Sequence, residues 1–492
     1  MIKSTNQLTT LFASNPSGCL AAHLFPQATE PSVNLFRVGA TEGKSLVNPS
    51  FLVPAIIDAL RKSDRYKDAV RLVPGEADNY CAKDVISNGG LVITSDSDLL
   101  AQDLGTGEVA FFRDIHRDDN QRVVSAVFAM ANIMQRLGLT GSADAPRFAY
   151  QRKLSPQSSL QVLVKDCRSE VADAKAYAAF LKQYQDDDVI SERIAYLKVP
   201  IAAEAFDPRL SEVFFQMLLH GTPSGTEEIQ MFLPVLSESH ERGTAWEPTT
   251  SIRQLAYSLL KDATSSQASS VKEYRRVQNP VQKGRHVPLL KQTEIENKAK
   301  ELVNIIRRLK ELTRGKELLF LPLLSIVHDV MECNVEGKNS HVLKVLQNSK
   351  RPPQATNGRV SWELTHFVAH IHAGLHSFRI IKQVLDTLQA SKKTQGPWQD
   401  IYKCVAESSL DAMPDFNLAA NLTSDAYKKP LATILAEFTD LEPDQISKLV
   451  PENRKRKVHA EKRKEEPRPH KKQSKPAASL KNNPFGSLAM DE

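Results

Sequence analysis

Val73-Pro-Gly-Glu76-Ala-Asp78-Asn-Tyr-Cys81 and Val92-Ile-Thr-Ser-Asp96-Ser-Asp98-Leu-Leu100 decide how this chain is read. Ahead of the first stretch, Ala69-Val-Arg-Leu-Val73 is a short apolar run with strand composition, and Pro74-Gly75 ends it. Glu76 to Ser87 carries a helical pattern closed by Asn88-Gly89-Gly90, and Leu91-Val-Ile-Thr94 is β-rich between Gly and Asp. Strand, about a dozen helical residues and strand make a βαβ unit, hence parallel strands joined by a right-handed crossover. Downstream, Gly105-Thr-Gly107 lies between Leu99–Leu104 and Glu108–Phe112 and predicts a hairpin turn. The fold class expected is α/β, with a partial parallel-sheet core.

The chemistry lies in four acids. Glu76 follows the first strand, Asp78 falls in the first helical turn, and Asp96 and Asp98 follow the second strand. In a parallel sheet both places are at the carboxyl ends of strands, on the rim where ligands bind. Four carboxylates in a partly desolvated place repel one another unless protons or a cation intervene. An oxygen-only set suits Mg²⁺ or Mn²⁺ better than Zn²⁺. Two such ions stabilise the attacking water and the leaving oxygen of a phosphodiester. Each half has a plainer reading: an acid in a first helical turn favours the helix dipole, and Asp-Ser-Asp after a strand can cap the next helix. Their coincidence on consecutive strands of one unit favours the site.

Pro74-Gly-Glu-Ala-Asp-Asn-Tyr-Cys-Ala82 and Thr94-Ser-Asp-Ser-Asp-Leu99, about 18 residues apart between acid pairs, resemble the internal motif of the XPG/flap-endonuclease family within the PIN-like superfamily. The long helical segments that follow make the Asteroid-type branch the most similar. The resemblance implies a PIN-like parallel core. It also implies Glu76, Asp78, Asp96 and Asp98 as catalytic ligands of two Mg²⁺ (or Mn²⁺) ions, in a nuclease of branched or single-stranded DNA or RNA with a place in DNA repair. Members of the family open on Met-Gly-Ile/Val and carry an acid on the first strand, which residues 1–68 do not match; Asp58 and Asp64 lie in a helical context. Leu139-Thr-Gly141-Ser-Ala-Asp144 only echoes a further acidic motif, and Asp144 reads as a loop residue. The expectation is either an upstream segment missing from this sequence or a weakened site, with a nuclease fold serving as a nucleic-acid-binding or protein-interaction scaffold.

The rest of the chain sets limits. It has 492 residues, 41% hydrophobic and 25% charged, enough to bury a core. Five cysteines at 19, 81, 167, 333 and 404 form no C-x-x-C pair, which argues against a disulfide framework and for a reducing compartment. The longest apolar run, Leu318 to Val327, is half the roughly 20 residues of a membrane span. Nothing at the N-terminus resembles a secretory signal. Residues 454–475 carry 11 Lys/Arg and 3 Glu. That +8 within a total of +6 leaves −2 for the remainder, so a polyanion-binding folded part gets no support from net charge.

The expected organisation is a PIN-like domain over 1–160, a helical extension over 161–262, a Ser/Gln-rich linker over 263–290, a helical domain over 291–450 and a disordered basic tail over 451–492. The tail resembles a bipartite import signal, so nuclear localisation is expected, with nuclear protein partners for the helical half. Val171, Ala174, Tyr177, Ala178, Leu181 and Tyr184 suggest one amphipathic face; Leu364, Phe367, Val368, Ile371, Leu375 and Phe378 suggest another. His366, His370, His372 and His376 form two i, i+4 pairs on different sides of that second helix. No acid or cysteine lies beside them in sequence, so partly buried core histidines are expected rather than a metal site.

Overall fold

A computed structural model of the chain describes residues 19–20, 50–73, 77–141, 144–182, 206–222, 227–276, 284–348, 359–390, 398–406, 410 and 416–439. The basic tail and Tyr184 lie outside these residues. In order come α1 (Leu52–Lys62), α2 (Ala77–Asn88), β1 (Leu91–Thr94), β2 (Glu108–Phe111), α3 (Met130–Arg136), α4 (Asp144–Leu154), α5 (Leu160–Cys167), α6 (Ala174–Leu181) and α7 (Pro208–Leu219). Then follow β3 (Ile229–Phe232), α8 (Thr250–Thr264), β4 (Ser270–Tyr274), β5 (Arg285–Pro288), α9 (Gln292–Leu312), α10 (Glu317–Val335), α11 (His341–Asn348), α12 (Trp362–Ala390), α13 (Trp398–Val405), α14 (Phe416–Asn421) and α15 (Asp425–Ala436). The fold is α/β, with small sheet pieces ahead of a helical half. No helix among the described residues is long and apolar enough to cross a membrane.

α2 forms where the pattern placed it, and Gly89 and Gly90 end it at φ +67° and +111°, a region that side chains with a Cβ resist. β1 also forms. Two local expectations fail. Ala69 closes a short 3-10 turn begun at Lys67, and 70–73 is not a strand. β2 is not the second arm of a hairpin: it pairs in parallel with β1, Leu91 opposite Glu108 and Thr94 opposite Phe111. A 3-10 turn over Asp98–Ala101 and the bend at Gly105, φ +57°, carry the chain back to start a parallel strand. Buried Val109 and Phe111 join Ala82, Leu99 and Leu104 in a small core beneath this pair, and that burial selects the parallel arrangement.

The stretch read as a linker, 263–290, holds β4 and β5. β4 pairs in parallel with β3 and antiparallel with β5. Its alternation puts Val271 and Glu273 inside, and Val287 of β5 is buried too. Ser270, Lys272 and Tyr274 on the outward face hid a strand of period two. α6 also differs from its expected face: it buries Phe180, while Ala174 and Ala178 are exposed. Tyr150 of α4 takes up Phe180 and Tyr177, with ring centroids 5.3 and 5.1 Å away.

The main core runs from Phe206 to Leu435. α9 contributes Ile295, Ala299, Leu302, Val303, Ile306 and Leu309, spaced three and four apart along one face, and its charges stay outside. α12 is enclosed on nearly every side. Its expected apolar stripe is buried throughout, and so are Ile380, Ile381, Val384 and Leu385 opposite. α10 crosses it at Gly374, where a Cβ would overlap the Ser325 hydroxyl.

A helix buried this fully must pair its polar groups. Arg379 is shared by two carboxylates. Its Nε donates to Asp207 Oδ2 at 2.9 Å and its Nη2 to Asp207 Oδ1 at 2.7 Å; Nη1 and Nη2 also reach Asp58 at 2.7 and 3.0 Å. Burial would raise the Asp207 carboxyl, but the hydrogen bonds from Arg379 outweigh it and hold the group below its usual range. Two residues back, Ser377 accepts from Arg253 Nη1 at 2.9 Å, and Arg253 forks onto buried Glu273 at 2.6 and 2.9 Å. Phe51 and Leu72, from the N-terminal part, pack against the same core.

Two tests follow. Replacing Arg379 by Met strands Asp58 and Asp207 without a cation, and urea unfolding is expected to show a loss of about 3–5 kcal/mol; a loss below about 1 kcal/mol would show the clamp to be idle. The second concerns His376, buried against Phe51 and Trp246 with Asp207, Arg379 and Arg253 around it. Burial, against the pull of Asp207, lowers it to about 4 from 6.5. Between those values the unfolded chain takes up a proton that the folded chain refuses, so stability rises with pH, by at most about 1.4 kcal/mol per unit for this group. Urea midpoints compared at pH 7 and pH 5 should shift less in His376→Phe than in the parent chain; an unchanged shift contradicts the assignment.

Candidate functional site

The acid-bearing segments meet through their neighbours. α2 presents Asp78 in its first turn, half-buried. Asp78 acts on Cys81 one turn along: burial first, then Asp78 and Asp84, push that thiol up. Asp96 follows β1 on the surface, its backbone N–H donating to Thr94 Oγ1 at 3.0 Å. Asp98 opens the 3-10 turn that delivers Leu99 into the small core. Ala82 of α2 lies in that same core, and Gln102 Nε2 donates to Asn79 Oδ1 at 3.1 Å. The residue after Asp78 is thus bonded to the residue after the turn that Asp98 begins. Glu76 and the side chain of Asp98 lie outside the described residues.

The parallel pairing changes what else stands on this rim. The carboxyl ends of β1 and β2 lie side by side, so Arg113 and Asp114, just past β2, share the edge with Asp96. Arg113 lies 3.8 Å from Asp114 and over the Phe111 ring. Sequence reading passed over Asp114 because it took Glu108–Phe112 for a hairpin arm. An acid three residues past a Val-Ala-Phe strand was the available signal.

Other acids have different work. Asp58 is held by Arg379, and Asp64 pairs with Lys67 at 3.1 Å on the surface. Asp144 is no loop residue: it begins α4, and its carboxylate accepts the Gly141 N–H at 2.8 Å, a helix-start contact. Among the described residues no three His, Cys, Asp or Glu side chains converge on one metal position. The donor set of Glu76, Asp78, Asp96 and Asp98 is oxygen-only, the chemistry of a hard divalent ion.

Three comparisons bear on this arrangement. No curated protein matches the chain, and no solved structure does. Residues 48–288 match the family described as XPG domain containing, a span that takes in α1, the acid-bearing βα segment and the second small sheet. Over that span the match supports an XPG-like nuclease fold for the chain.

Proposed function

We propose that residues 48–288 form an Asteroid-type XPG site that binds nucleic acid through Mg²⁺ or Mn²⁺ and cleaves phosphodiesters weakly or not at all. The observation carrying this reading is the Asn79–Gln102 hydrogen bond over the shared Ala82–Leu99 core, which joins the two acid-bearing segments beside the carboxyl end of a parallel strand pair. Glu76, Asp78, Asp96 and Asp98 would hold the ions. Bound there, the ions would offset carboxylate repulsion and polarise phosphate oxygens. The carboxylates themselves would orient water and set the approach of the backbone. Weak chemistry is proposed because the family's first-strand acid has no counterpart in residues 1–68. The acid of α1, Asp58, is committed to Arg379. A two-ion site short of one carboxylate misplaces the attacking water, and small misplacements cost about a hundredfold in rate.

The test is an assay of the full chain on branched and single-stranded DNA and RNA with Mg²⁺ or Mn²⁺, alongside gel-shift retention. Expected are retention that weakens in Asp78→Asn and Asp96→Asn, and little cleavage. Robust cleavage abolished by Asp96→Asn would show a complete active site. Absence of any retention would leave the clamp between α1 and α12 as support for an interaction scaffold.

The tail makes nuclear entry part of this proposal, since residues 454–475 carry +8. With the chain fused to a fluorescent protein too large for passive entry, removal of residues 452–492 is expected to shift the signal to the cytoplasm. An unchanged nuclear signal rejects the import role.

A further inference from the structure

Three histidines from two helices gather where α10, α11 and α12 meet. His366 and His370 lie one turn apart on α12, 1% and 8% exposed. Their Nε2 atoms are 3.1 Å apart. Their other nitrogens face carboxylates contributed by distant segments. His370 Nδ1 is 3.4 Å from Asp329 Oδ1 on α10, and His366 Nδ1 is 4.0 Å from Glu238 Oε2. The His341 ring at the start of α11 completes a triangle, with centroids 5.0 Å from His366 and 5.6 Å from His370; the His366 and His370 centroids are 4.7 Å apart.

These groups are poorly satisfied as they stand. Both His341 nitrogens, His366 Nδ1 and Asp329 Oδ1 are buried without a hydrogen-bond partner at proper geometry. Two neutral imidazoles can share the Nε2···Nε2 contact only if one donates. The donor then turns a bare Nδ1 lone pair toward its carboxylate. Asp329 adds a second mismatch. It is 3% exposed, Ser340 Oγ donates to its Oδ2 at 2.5 Å, and among the described residues its one ion-pair partner is His370. Among the described residues no lysine or arginine lies within ion-pair distance of Asp329, and a buried carboxylate without a full cation beside it is costly. Glu238, by contrast, is satisfied by Arg276 at 2.6 Å and the Ala245 N–H at 2.6 Å.

We propose that His341, His366 and His370 hold one Zn²⁺ ion, with Asp329 and Glu238 as carboxylates behind the ligands. A cation at the Nε2 atoms takes both lone pairs. Both Nδ1 atoms then carry hydrogens directed at Asp329 and Glu238, the arrangement in which a carboxylate orients a zinc-bound histidine. Around a tetrahedral ion with Zn–N of about 2.1 Å, ring centroids would stand roughly 5 Å apart, as these three do. The ligand atoms do not yet converge on one point among the described residues, and His341 closes the set by turning its ring. Neither of its nitrogens has a hydrogen-bond partner at proper geometry, and the Glu363 backbone is the polar group it interacts with there. All-imidazole donors select Zn²⁺ over Mg²⁺, so this site is chemically separate from the acids near β1. Water takes the fourth position. The ion would tie α11 to α12 and, through Asp329, to α10.

The test uses the full untagged chain, stripped with a chelator and titrated with Co²⁺ and then Zn²⁺. Expected are the visible absorption of tetrahedral Co²⁺ without a thiolate charge-transfer band, displacement by one equivalent of Zn²⁺, indifference to excess Mg²⁺, and a higher melting temperature with Zn²⁺. Asp329→Asn should weaken binding 10–100-fold while leaving the Co²⁺ band in place, and His370→Gln should abolish it. A folded parent chain with neither Co²⁺ band nor Zn²⁺-dependent melting shift overturns the proposal, as does a His370→Gln protein that retains both. If His370→Gln does not fold, the parent spectrum decides: octahedral or thiolate-bearing Co²⁺ counts against the site.

Discussion

The buried Arg379 guanidinium ties together three helices that are far apart in sequence. It stands on a helix enclosed by the main core, so its charge has no recourse to water. Asp207, at the entrance to α7, and Asp58, on α1, both accept from it. Those partners lie 172 and 321 residues away along the chain. Burying α12 therefore fixes where α1 and α7 enter the core. Asp207 shows the cost to local convention. It sits at a helix start where its side chain would ordinarily cap the first turn, yet it makes no cap bond and turns to the guanidinium. The Arg253–Glu273 fork extends the same logic from α8 and β4, reaching α12 through Ser377.

The clamp also bears on function. α1 lies within the span that matches the XPG family, and Arg379 lies beyond it. The family-matched span is held by the helical half rather than strung beside it. One consequence is that Asp58 is spoken for. A helical acid near a catalytic rim is easily taken for a reserve ligand, but a carboxylate forked onto a buried guanidinium cannot leave without stranding the cation. The acids that remain, near β1 and β2, are organised by a much smaller core of five buried side chains, Ala82, Leu99, Leu104, Val109 and Phe111.

The histidines of α12 teach a related lesson. Their spacing along the sequence predicted two pairs on different sides of a helix, and the apparent lack of acids nearby argued for core packing. They are core residues, with His366, His370 and His376 all buried. The acids were not absent, however. Asp329 and Glu238 come from other segments, and His341 from the next helix, so the polar neighbourhood of His366 and His370 is assembled across more than a hundred residues of chain.

What the sequence determined by itself was local. The glycine-terminated helix after Pro74-Gly75, the β-rich run at Leu91–Thr94 and the long apolar helix at 362–390 all follow from periodicity and end signals that neighbouring residues carry. The acidic motif was legible for the same reason, since its residues lie within about two dozen positions. Tertiary structure decided the rest. It made β2 the parallel partner of β1, turned a Ser-rich linker into β4 and β5, denied a strand to 70–73, and assigned Asp58 to Arg379. Strand partnership and buried charge pairing depend on which surfaces are removed from water together. That is a property of residues far apart in sequence, and no local window records it.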